Sequence, residues 1–313
     1  MGKKENLRTT LAIILISFLF IIPFASAGFF DDVWGKITGK ASTTQNLQVN
    51  ISVTSAPPII YGITGLGAIT LTDAPSPTYV TINFSVNASN GVATLNNASA
   101  MINLTKAGQP LVINSSCAVK DWSTNMANYT CNLTLWWWYN AGSWQVYANI
   151  SDLGSNTAIN GTNTITVNTL TGFALSPSAL TFSSMTAGAV NQTPTNYFTM
   201  NNTGNTNTTT IQINATDLVG ETNKGKFLWA SNFSASSYTG GNIECNITAS
   251  ATAMVNLTYT TVGSAVLNVG NYTKNDGATG QDKMYICLRK VGYELSQQQY
   301  STSQNGQWTV KIT

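Results

Sequence analysis

Four cysteines are the residues whose chemistry the sequence defines best. Cys117 and Cys131 lie in the first half of the chain, and Cys245 and Cys287 lie in the second. An even number of cysteines, divided pairwise between the halves of the chain, predicts one disulfide in each half if the chain reaches an oxidising compartment. Zinc binding is the alternative, but the chain has no histidine and no C-x-x-C spacing. We therefore expect disulfides and no metal centre at these four positions.

Catalysis finds little support among the remaining reactive residues. Without histidine, Ser-His-Asp and Cys-His arrangements are excluded, and no glycine-rich phosphate-binding motif occurs. A pair of carboxylates can hydrolyse glycosidic bonds. The acidic residues here are scattered over turn-forming stretches, where they bond to nearby backbone. We predict that the protein is not an enzyme and needs no cofactor.

One calcium candidate lies between Asn275 and Asp282. Asp276 and Asp282 flank two glycines there, and calcium prefers carboxylate and carbonyl oxygens. The spacing matches no EF-hand loop, and an ordinary glycine-rich turn explains the same residues. A structural calcium ion at Asp276 and Asp282 is the only metal hypothesis that the sequence offers.

Asparagine supplies the most frequent motif. The chain has 35 Asn residues, and 18 of them stand in the Asn-x-Ser/Thr sequence (sequon) that accepts N-linked glycans. Along Asn83–Ser89 the acceptors share one parity and the apolar residues the other, so a strand would point glycans to solvent. We predict a heavily N-glycosylated surface; the alternative is an Asn/Thr-rich strand composition that produces sequons as a by-product. The acceptors are Asn50, Asn83, Asn87, Asn97, Asn103, Asn114, Asn128, Asn132, Asn149, Asn160, Asn191, Asn201, Asn207, Asn214, Asn232, Asn246, Asn256 and Asn271.

The stretch Tyr129–Ile150 has the clearest strand pattern and the most aromatic residues. Apolar residues alternate with others from Tyr129 to Trp138, and again from Trp144 to Ile150 after an Asn-Ala-Gly-Ser turn signal. This predicts an antiparallel hairpin at the centre of a β-sandwich. Exposed rings stack on sugars or pack against a partner, and packing within the protein is the alternative. The aromatic contact candidates off the core face are Trp122, Trp136, Trp138 and Tyr147.

Residues 1–27 have the composition of a secretory signal peptide. Three basic residues precede the apolar run Leu11–Phe24, and an A-x-A cleavage pattern ends at Ala27. An uncleaved anchor is the alternative, although the run is shorter than the roughly 20 residues of a membrane span. Cleavage would remove three basic residues and one acidic residue and leave eleven of each sign. The mature chain would then have no basic surface for nucleic acid or an anionic membrane.

Two tandem β domains are predicted, at residues 47–169 and 170–313, after a short amphipathic segment and linker at 28–46. Short strands without long helical periodicity are typical of antiparallel sandwiches. Leu47–Val53 is an isolated strand pattern, which would pair within its own domain or add to the sheet of a neighbouring subunit. In the second domain, strands are expected at Leu180–Phe182, Asn196–Met200, Ile211–Ala215, Ile243–Ile247, Met254–Tyr259, Met284–Leu288 and Trp308–Ile312.

Two stretches resemble immunoglobulin-like domains. Asn125–Cys131 resembles the D-x-A-x-Y-x-C signature, in which the Tyr forms a tyrosine corner. Asn125 replaces the Asp, and Cys117 lies so close upstream that the disulfide would join neighbouring strands or a loop. Leu180–Asn205 resembles the opening of immunoglobulin-like modules in secreted prokaryotic proteins and hydin-type domains, with L-x-F, a glycine turn and N-x-G-N. The resemblance implies two immunoglobulin-like antiparallel β-sandwiches and no particular chemistry.

As a whole, the chain looks like exported archaeal cell-surface proteins built from such domains with many sequons. This resemblance implies a secreted, non-enzymatic glycoprotein with a structural or adhesive role in a cell envelope, S-layer or surface filament. It would act through sheet faces and edges, with strand donation between subunits as one route. Its partners would be other copies or other surface proteins and covalent N-glycans, without nucleic acid or a membrane span after cleavage. The alternative is a secreted carbohydrate-binding module that uses exposed Trp and Tyr.

Overall fold

The computed structural model describes residues 47–51, 56–208 and 210–313. The protein is all-β: the described residues form 21 strands and four single-turn 3-10 helices, at Val92–Thr94, Ala230–Asn232, Ile243–Cys245 and Tyr272–Lys274. Within these ranges no helix has the length and apolar character of a membrane span. The described residues from 56 onward belong to one compact unit. The expected signal peptide (1–27) and amphipathic segment (28–46) lie outside the described residues.

Two sheets form the first half of the compact unit. The first contains β1 (Ile59–Thr64), β3 (Thr78–Asn87), β6 (Ala118–Trp122) and β7 (Met126–Leu135). The second contains β2 (Ala68–Ile69), β4 (Leu95–Thr105), β5 (Val112–Asn114), β8 (Gly142–Asp152) and β9 (Thr157–Val167). Their spatial orders are β1-β3-β7-β6 and β2-β9-β8-β4-β5. Neighbouring strands are antiparallel except β2 and β9, which are parallel.

Alternation of side chains explains why these two sheets share one core. Phe84 and Val86 of β3 are buried in the same apolar cluster as Trp144 and Val146 of β8. The residues between them point away from this cluster, because successive side chains of a strand face opposite sides. Burying one large apolar side chain contributes about 1.5–3 kcal/mol. A one-residue slip in register would expose the whole set, so the pattern fixes which face is inside.

The predicted hairpin at Tyr129–Ile150 is wrong in its pairing. Both segments are strands, but β7 pairs with β3 and β6, whereas β8 pairs with β4 and β9 in the other sheet. Residues 136–141 carry the chain across the core from one sheet to the other. A hairpin and a sheet-crossing connection both direct the two apolar faces into the same core, so alternation alone does not distinguish them.

The tryptophans of this connection also depart from the prediction that they continue the strand. β7 ends at Leu135, and a turn follows in which Tyr139 N–H donates to Trp136 O at 3.0 Å. Trp137 is 1% exposed, while Trp136 and Trp138 are half-buried against the first core. The rings of Trp136 and Trp138 stack with centroids 5.1 Å apart. Because the chain turns here, Trp138 folds back on Trp136 and neither ring projects from an outer strand face.

Three sheets form the second half. Its strands are β10 (Phe173–Ser176), β11 (Val190–Gln192), β12 (Phe198–Asn202), β13 (Ile211–Asn214), β14 (Leu218–Gly220), β15 (Phe227–Leu228), β16 (Phe233–Ser236), β17 (Thr252–Ala253), β18 (Tyr259–Thr261), β19 (Gln281–Lys290), β20 (Tyr300–Ser301) and β21 (Thr309–Ile312). The orders are β10-β12-β19-β16-β17, with β11 also on β19, then β18-β13-β21 and β15-β14-β20. A second apolar cluster, which includes Met200, Phe233 and Ile286, lies between them.

Three strand predictions fail in this half. Leu180–Phe182 is not a strand, although Leu180 and Phe182 still pack against the second core. Ile243–Ile247 contains a 3-10 helix that buries Glu244 and Cys245, because the disulfide holds this segment against β19. Met254–Tyr259 is interrupted by Leu257, whose φ of 55° lies in the left-handed region and ends any strand there.

The N-x-G-N motif at Asn202–Asn205 joins the two halves. Asn205 Oδ1 accepts a hydrogen bond from Leu170 N–H at 2.6 Å, and its Nδ2 donates to Asn168 O at 2.9 Å. A Cβ atom at Gly204 would lie 2.1 Å from Leu170 O, so only glycine fits between the two asparagines. Asn202 Nδ2 donates to Asn268 O at 3.1 Å. The motif thus fixes the junction near residue 170 through buried amides.

The predicted strand at Leu47–Val53 is not formed in its described part. Residues 47–51 have no strand assignment, and Leu47, Val49 and Ile51 are exposed. Val53 lies outside the described residues.

Candidate functional site

Four glycan-acceptor residues share the outer face of the first sheet, and we call them the sequon face: Asn83, Asn87, Asn128 and Asn132. They alternate with the buried residues of β3 and β7. Asn87 and Asn132 are exposed, and Asn83 and Asn128 are half-buried. The sheet therefore presents the amides on the side opposite its core, as the alternation predicts.

Hydroxyl groups of neighbouring strands hold the amides of the sequon face. Thr130 Oγ1 donates to Asn83 Oδ1 at 2.7 Å, and Thr81 Oγ1 donates to Asn132 Oδ1 at 2.8 Å. Asn128 Oδ1 accepts from Ser85 Oγ at 2.5 Å. In each pair the partner lies on the adjacent strand, as expected of cross-strand pairs on one face. These bonds use the carbonyl oxygens of Asn83, Asn128 and Asn132 and orient their nitrogens.

Three other acceptors lie in tight turns made by their own sequons. Thr162, Thr248 and Thr273 each donate their hydroxyl to the Oδ1 of the Asn two residues earlier, at 2.9, 2.7 and 2.6 Å. The acceptors in these turns are Asn160, Asn246 and Asn271. Their backbone amides at the Thr position donate to the same oxygen, which is the Asx-turn geometry.

The remaining acceptors differ in access to solvent. Asn103 and Asn214 have an Oδ1 atom that is shielded from solvent and has no hydrogen-bond partner among the described residues. The others are exposed or half-buried: Asn50, Asn97, Asn114, Asn149, Asn191, Asn201, Asn207, Asn232 and Asn256. Glycan occupancy itself stays a prediction at all 18 positions.

The aromatic contact candidates do not form one surface. Trp122 is 68% exposed on the edge strand β6 of the first sheet. Tyr147 is 37% exposed on β8 of the second sheet, where its ring packs on Gly161 so closely that a Cβ there would lie 2.4 Å from Cε1. Trp136 and Trp138 lie in the half-buried turn described above. The four residues therefore lie at three separate locations on the molecule.

Tyr129 and Asn97 form a polar contact between the two sheets that sequence reasoning missed. Tyr129 is fully buried on β7, and its hydroxyl donates to Asn97 Oδ1 on β4 of the opposite sheet at 2.5 Å. Burial raises the pKa of Tyr129 from 10.0 to about 12. The bond crosses the core, whereas the hydroxyl of a tyrosine corner bonds to backbone a few residues upstream. No sequence pattern signals this contact, and Asn97 was predicted only as a glycan acceptor.

Both predicted disulfides are present. Cys117 and Cys131 join with Cα atoms 4.5 Å apart, next to the paired strands β6 and β7. The first bond thus joins the loop residue directly before β6 to the adjacent strand β7, within the two alternatives predicted, neighbouring strands or a loop. Cys245 and Cys287 join with Cα atoms 5.2 Å apart and fix the 3-10 helix at Ile243–Cys245 to β19. Two disulfides indicate an extracellular or otherwise oxidising environment.

The two calcium candidates bind protein donors. Asp276 Oδ1 accepts from Thr279 N–H at 2.7 Å, and Oδ2 accepts from Thr279 Oγ1 at 2.6 Å. These bonds, the side-chain bond first, lower the pKa of Asp276 to about 2. Asp282 Oδ2 accepts from Val266 N–H at 2.8 Å, and burial raises the pKa of Asp282. No group of three or more metal-ligating side chains occurs within the described ranges, and calcium binding stays a prediction.

An open groove of about 400 Å³ lies between β5 and β7. Leu111 and Tyr139 supply apolar and aromatic surface, and Asn114, Asn132 and Thr134 supply amides and a hydroxyl. Asn114 Nδ2 donates to Asn132 O at 2.7 Å and so connects the two sheets at this edge. A groove of this composition is suited to hydrogen bonding with a neutral polar ligand.

Comparisons with known proteins give no family. No family model matches the chain, and no curated protein matches it. Among solved structures, the crystal structure of dimeric latent PorU from Porphyromonas gingivalis aligns with 8% sequence identity and a TM-score of 0.27. The alignment covers 86% of this chain and 21% of that one. The chain thus spans about a fifth of the length of that protein.

Proposed function

We propose that the first half is an immunoglobulin-like sandwich and that residues 170–313 form a second, less regular domain. The strand order supports this. Constant-type immunoglobulin domains place strands A, B, E and D in one sheet and C, F and G in the other. When β1, β3, β4, β6, β7, β8 and β9 are lettered A to G in chain order, the first sheet has the spatial order A-B-E-D. The second sheet then contains C, F and G as neighbours. By this correspondence Tyr129 lies on strand E, not on strand F, where the tyrosine corner occurs.

We further propose that the protein is an exported, N-glycosylated structural or adhesive component of a cell envelope or surface filament, of the kind found on archaeal cells. The observation that carries this is the sequon face, where four acceptors share the outer side of one sheet. Glycans there would cover a flat sheet surface without disturbing the apolar core. The two disulfides favour the same compartment.

Imaging and mass analysis of native material test this proposal together. Negative-stain imaging of the cell-surface fraction should show ordered polymers or a continuous layer. Intact-mass analysis should show cleavage after Ala27 and the added mass of several glycans. The variant N83Q/N87Q/N128Q/N132Q should lose mass relative to N90Q, a matched change outside any sequon. A monomeric, unglycosylated product in native material would refute the proposal.

Assembly through strand donation is one mechanism within this function. Leu47, Val49 and Ile51 share a parity and are exposed, and an alternating segment can complete the sheet edge of another copy. Deletion of residues 41–56 should abolish polymers, and so should the triple variant L47D/V49D/I51D. The control variant Q48D, on the opposite parity, should still form them. Polymers that persist after deletion would exclude this mechanism but leave the structural role in place.

Carbohydrate binding is the second candidate, and the groove between β5 and β7 favours it. Its amides and hydroxyl lie beside Tyr139, the combination that orients sugars through hydrogen bonds and ring contact. N132A and T134A should weaken binding on a glycan array by the monomeric protein, whereas W122A tests the separate exposed ring. Retained binding in all three variants would exclude both places.

A further inference from the structure

A smaller cavity in the second half contains a buried carboxylate without a partner. The cavity measures about 180 Å³, enough for several water molecules. Glu244, Tyr197, Tyr285, Pro194, Asn196 and Thr239 are among the residues that line it. Glu244 is 6% exposed, and its Oε2 has no hydrogen-bond partner among the described residues.

The fold holds Glu244 in this place from two sides. Cys245, the next residue, is bonded to Cys287 of β19, and Ser234 Oγ donates to the backbone oxygen of Glu244 at 2.7 Å. The carboxylate therefore cannot leave the cavity without moving a segment that a disulfide fixes. An ionised carboxylate removed from water and left unpaired is costly, so such a group in a native protein calls for a partner.

Two tyrosine rings form the aromatic part of the cavity. The rings of Tyr197 and Tyr285 lie 5.2 Å apart at an interplanar angle of 47°. Lys283 Nζ lies 4.8 Å from the centroid of the Tyr197 ring, so this ring already has one cation over its face. Burial chiefly raises the pKa of Tyr285; the charge of Lys283 lowers it, and Tyr197, Asp282 and Glu244 raise it by smaller amounts.

We propose that this cavity binds an organic cation, an alkylammonium or guanidinium group, between the Glu244 carboxylate and the tyrosine rings. The carboxylate would accept charge-assisted hydrogen bonds from the cation, and the rings would contact it through their electron-rich faces. The shared chemistry fits a Lys or Arg side chain of another protein, or a free polyamine. This binding goes beyond the proposed structural role and does not depend on it.

Binding of small probes to the full exported chain, with both disulfides formed, tests the proposal. Calorimetry and NMR of the tyrosine ring protons should show saturable binding of n-butylammonium and n-propylguanidinium. Neutral n-butanol should bind at least tenfold more weakly. E244Q should lose at least tenfold affinity for both cations, whereas E221Q, which changes an exposed carboxylate held by Ser301 and Ser303, should keep it.

Two further variants keep the proposal falsifiable if E244Q folds poorly. Y197L, at the partly exposed rim, should weaken cation binding several-fold while circular dichroism stays unchanged. K283M should keep or improve binding, because it frees the Tyr197 ring; binding that appears only in K283M would overturn the proposal for the native protein. Equal affinity of E244Q and wild type, or of butanol and butylammonium, would overturn it as well.

The source of the cation is distinguished by two more probes. Tighter binding of Nα-acetyl-lysine amide than of putrescine would support a protein side chain as the ligand, and the reverse would support a polyamine. Failure of both, with a folded wild-type chain, would refute the site. None of these results bears on polymer formation, so this test and that of the proposed function fail separately.

Discussion

The indole ring of Trp137 and the phenol ring of Tyr272 lie 5.5 Å apart at an interplanar angle of 45°. Trp137 belongs to the connection that crosses the first core, and Tyr272 begins a 3-10 helix in the second half. Together with the side-chain amide of Asn205, this ring contact joins the two halves of the chain. The halves of the chain are therefore coupled through packing as well as through the peptide at residue 170.

Replacing Trp137 tests how much of the fold depends on this contact. W137A should lower the free energy of unfolding by about 3–5 kcal/mol, as large-to-small core changes do. W137F should cost less, because it keeps a ring and removes an indole N–H that has no hydrogen-bond partner among the described residues. Urea denaturation measures both. A double-mutant cycle with Y272A should give a coupling of about 0.5–1.5 kcal/mol, and zero coupling would show that the rings do not stabilise the junction.

The junction amide of Asn205 gives a second prediction. N205A should cost about 1–3 kcal/mol, because Leu170 N–H and Asn168 O lose a buried partner. It should also speed proteolysis near residue 170, which limited digestion followed by mass spectrometry detects. N196A is the matched control, since Asn196 is exposed and makes one long bond of 3.5 Å to Ala179 O. Similar cleavage rates in both variants would contradict a locked junction.

Sequence alone located many strands and the buried faces, because alternation reports directly on which side of a strand meets the core. The predicted partner of β7 was wrong, because Tyr129 and Trp144 point into the core in either arrangement. They do so whether β7 and β8 pair as a hairpin or lie in opposite sheets of a sandwich. The aromatic run misled for a related reason: Trp136–Trp138 keeps the alternation although the chain has already turned. Glu244 was counted only among the scattered acidic residues, since the sequence does not show that the segment beside the disulfide buries it.

The cysteine pairs, by contrast, were predictable, because four thiols divided between two halves leave one compact pairing. The contact between Asn97 and Tyr129 could not be predicted from the sequence. The sequon at Asn97 suggested only solvent, and no local pattern brings β4 opposite Tyr129. Contacts across a core depend on sheet order, and sheet order is not encoded in period-two alternation.

The raised pKa of Tyr129 predicts a loss of stability at high pH. Below pH 10 the phenol is neutral in both the folded and the unfolded chain. Between about pH 10 and 12 the unfolded chain releases this proton while the folded chain retains it, so the free energy of unfolding falls as pH rises. Y129F should show a smaller fall over this range in urea titrations. An equal slope in wild type and Y129F would contradict the assignment to Tyr129.

The two disulfides should contribute unequally. The Cys117–Cys131 bond joins residues 14 apart, and the Cys245–Cys287 bond joins residues 42 apart. In the chain-entropy model the longer loop gives the larger stabilisation, about 4 kcal/mol against about 3 kcal/mol. C245A/C287A should therefore lower the unfolding midpoint more than C117A/C131A. C245A/C287A also releases the Glu244 segment, so this variant should lose organic-cation binding, whereas C117A/C131A should retain it. Retained binding in C245A/C287A would show that the disulfide does not hold the carboxylate in place.

Glycan occupancy should follow the position of each acceptor amide in the folded chain. Asn246 is exposed in a turn where Thr248 holds its Oδ1, which leaves Nδ2 free to carry a sugar into solvent. Asn103 and Asn214 are half-buried on strands that pair on both sides, so a glycan on their Nδ2 has less room than one on the exposed turn at Asn246. Glycopeptide mass spectrometry of native protein should find Asn246 occupied and Asn103 and Asn214 bare. Occupied Asn214 with bare Asn246 would contradict a dependence of glycan occupancy on the folded surface.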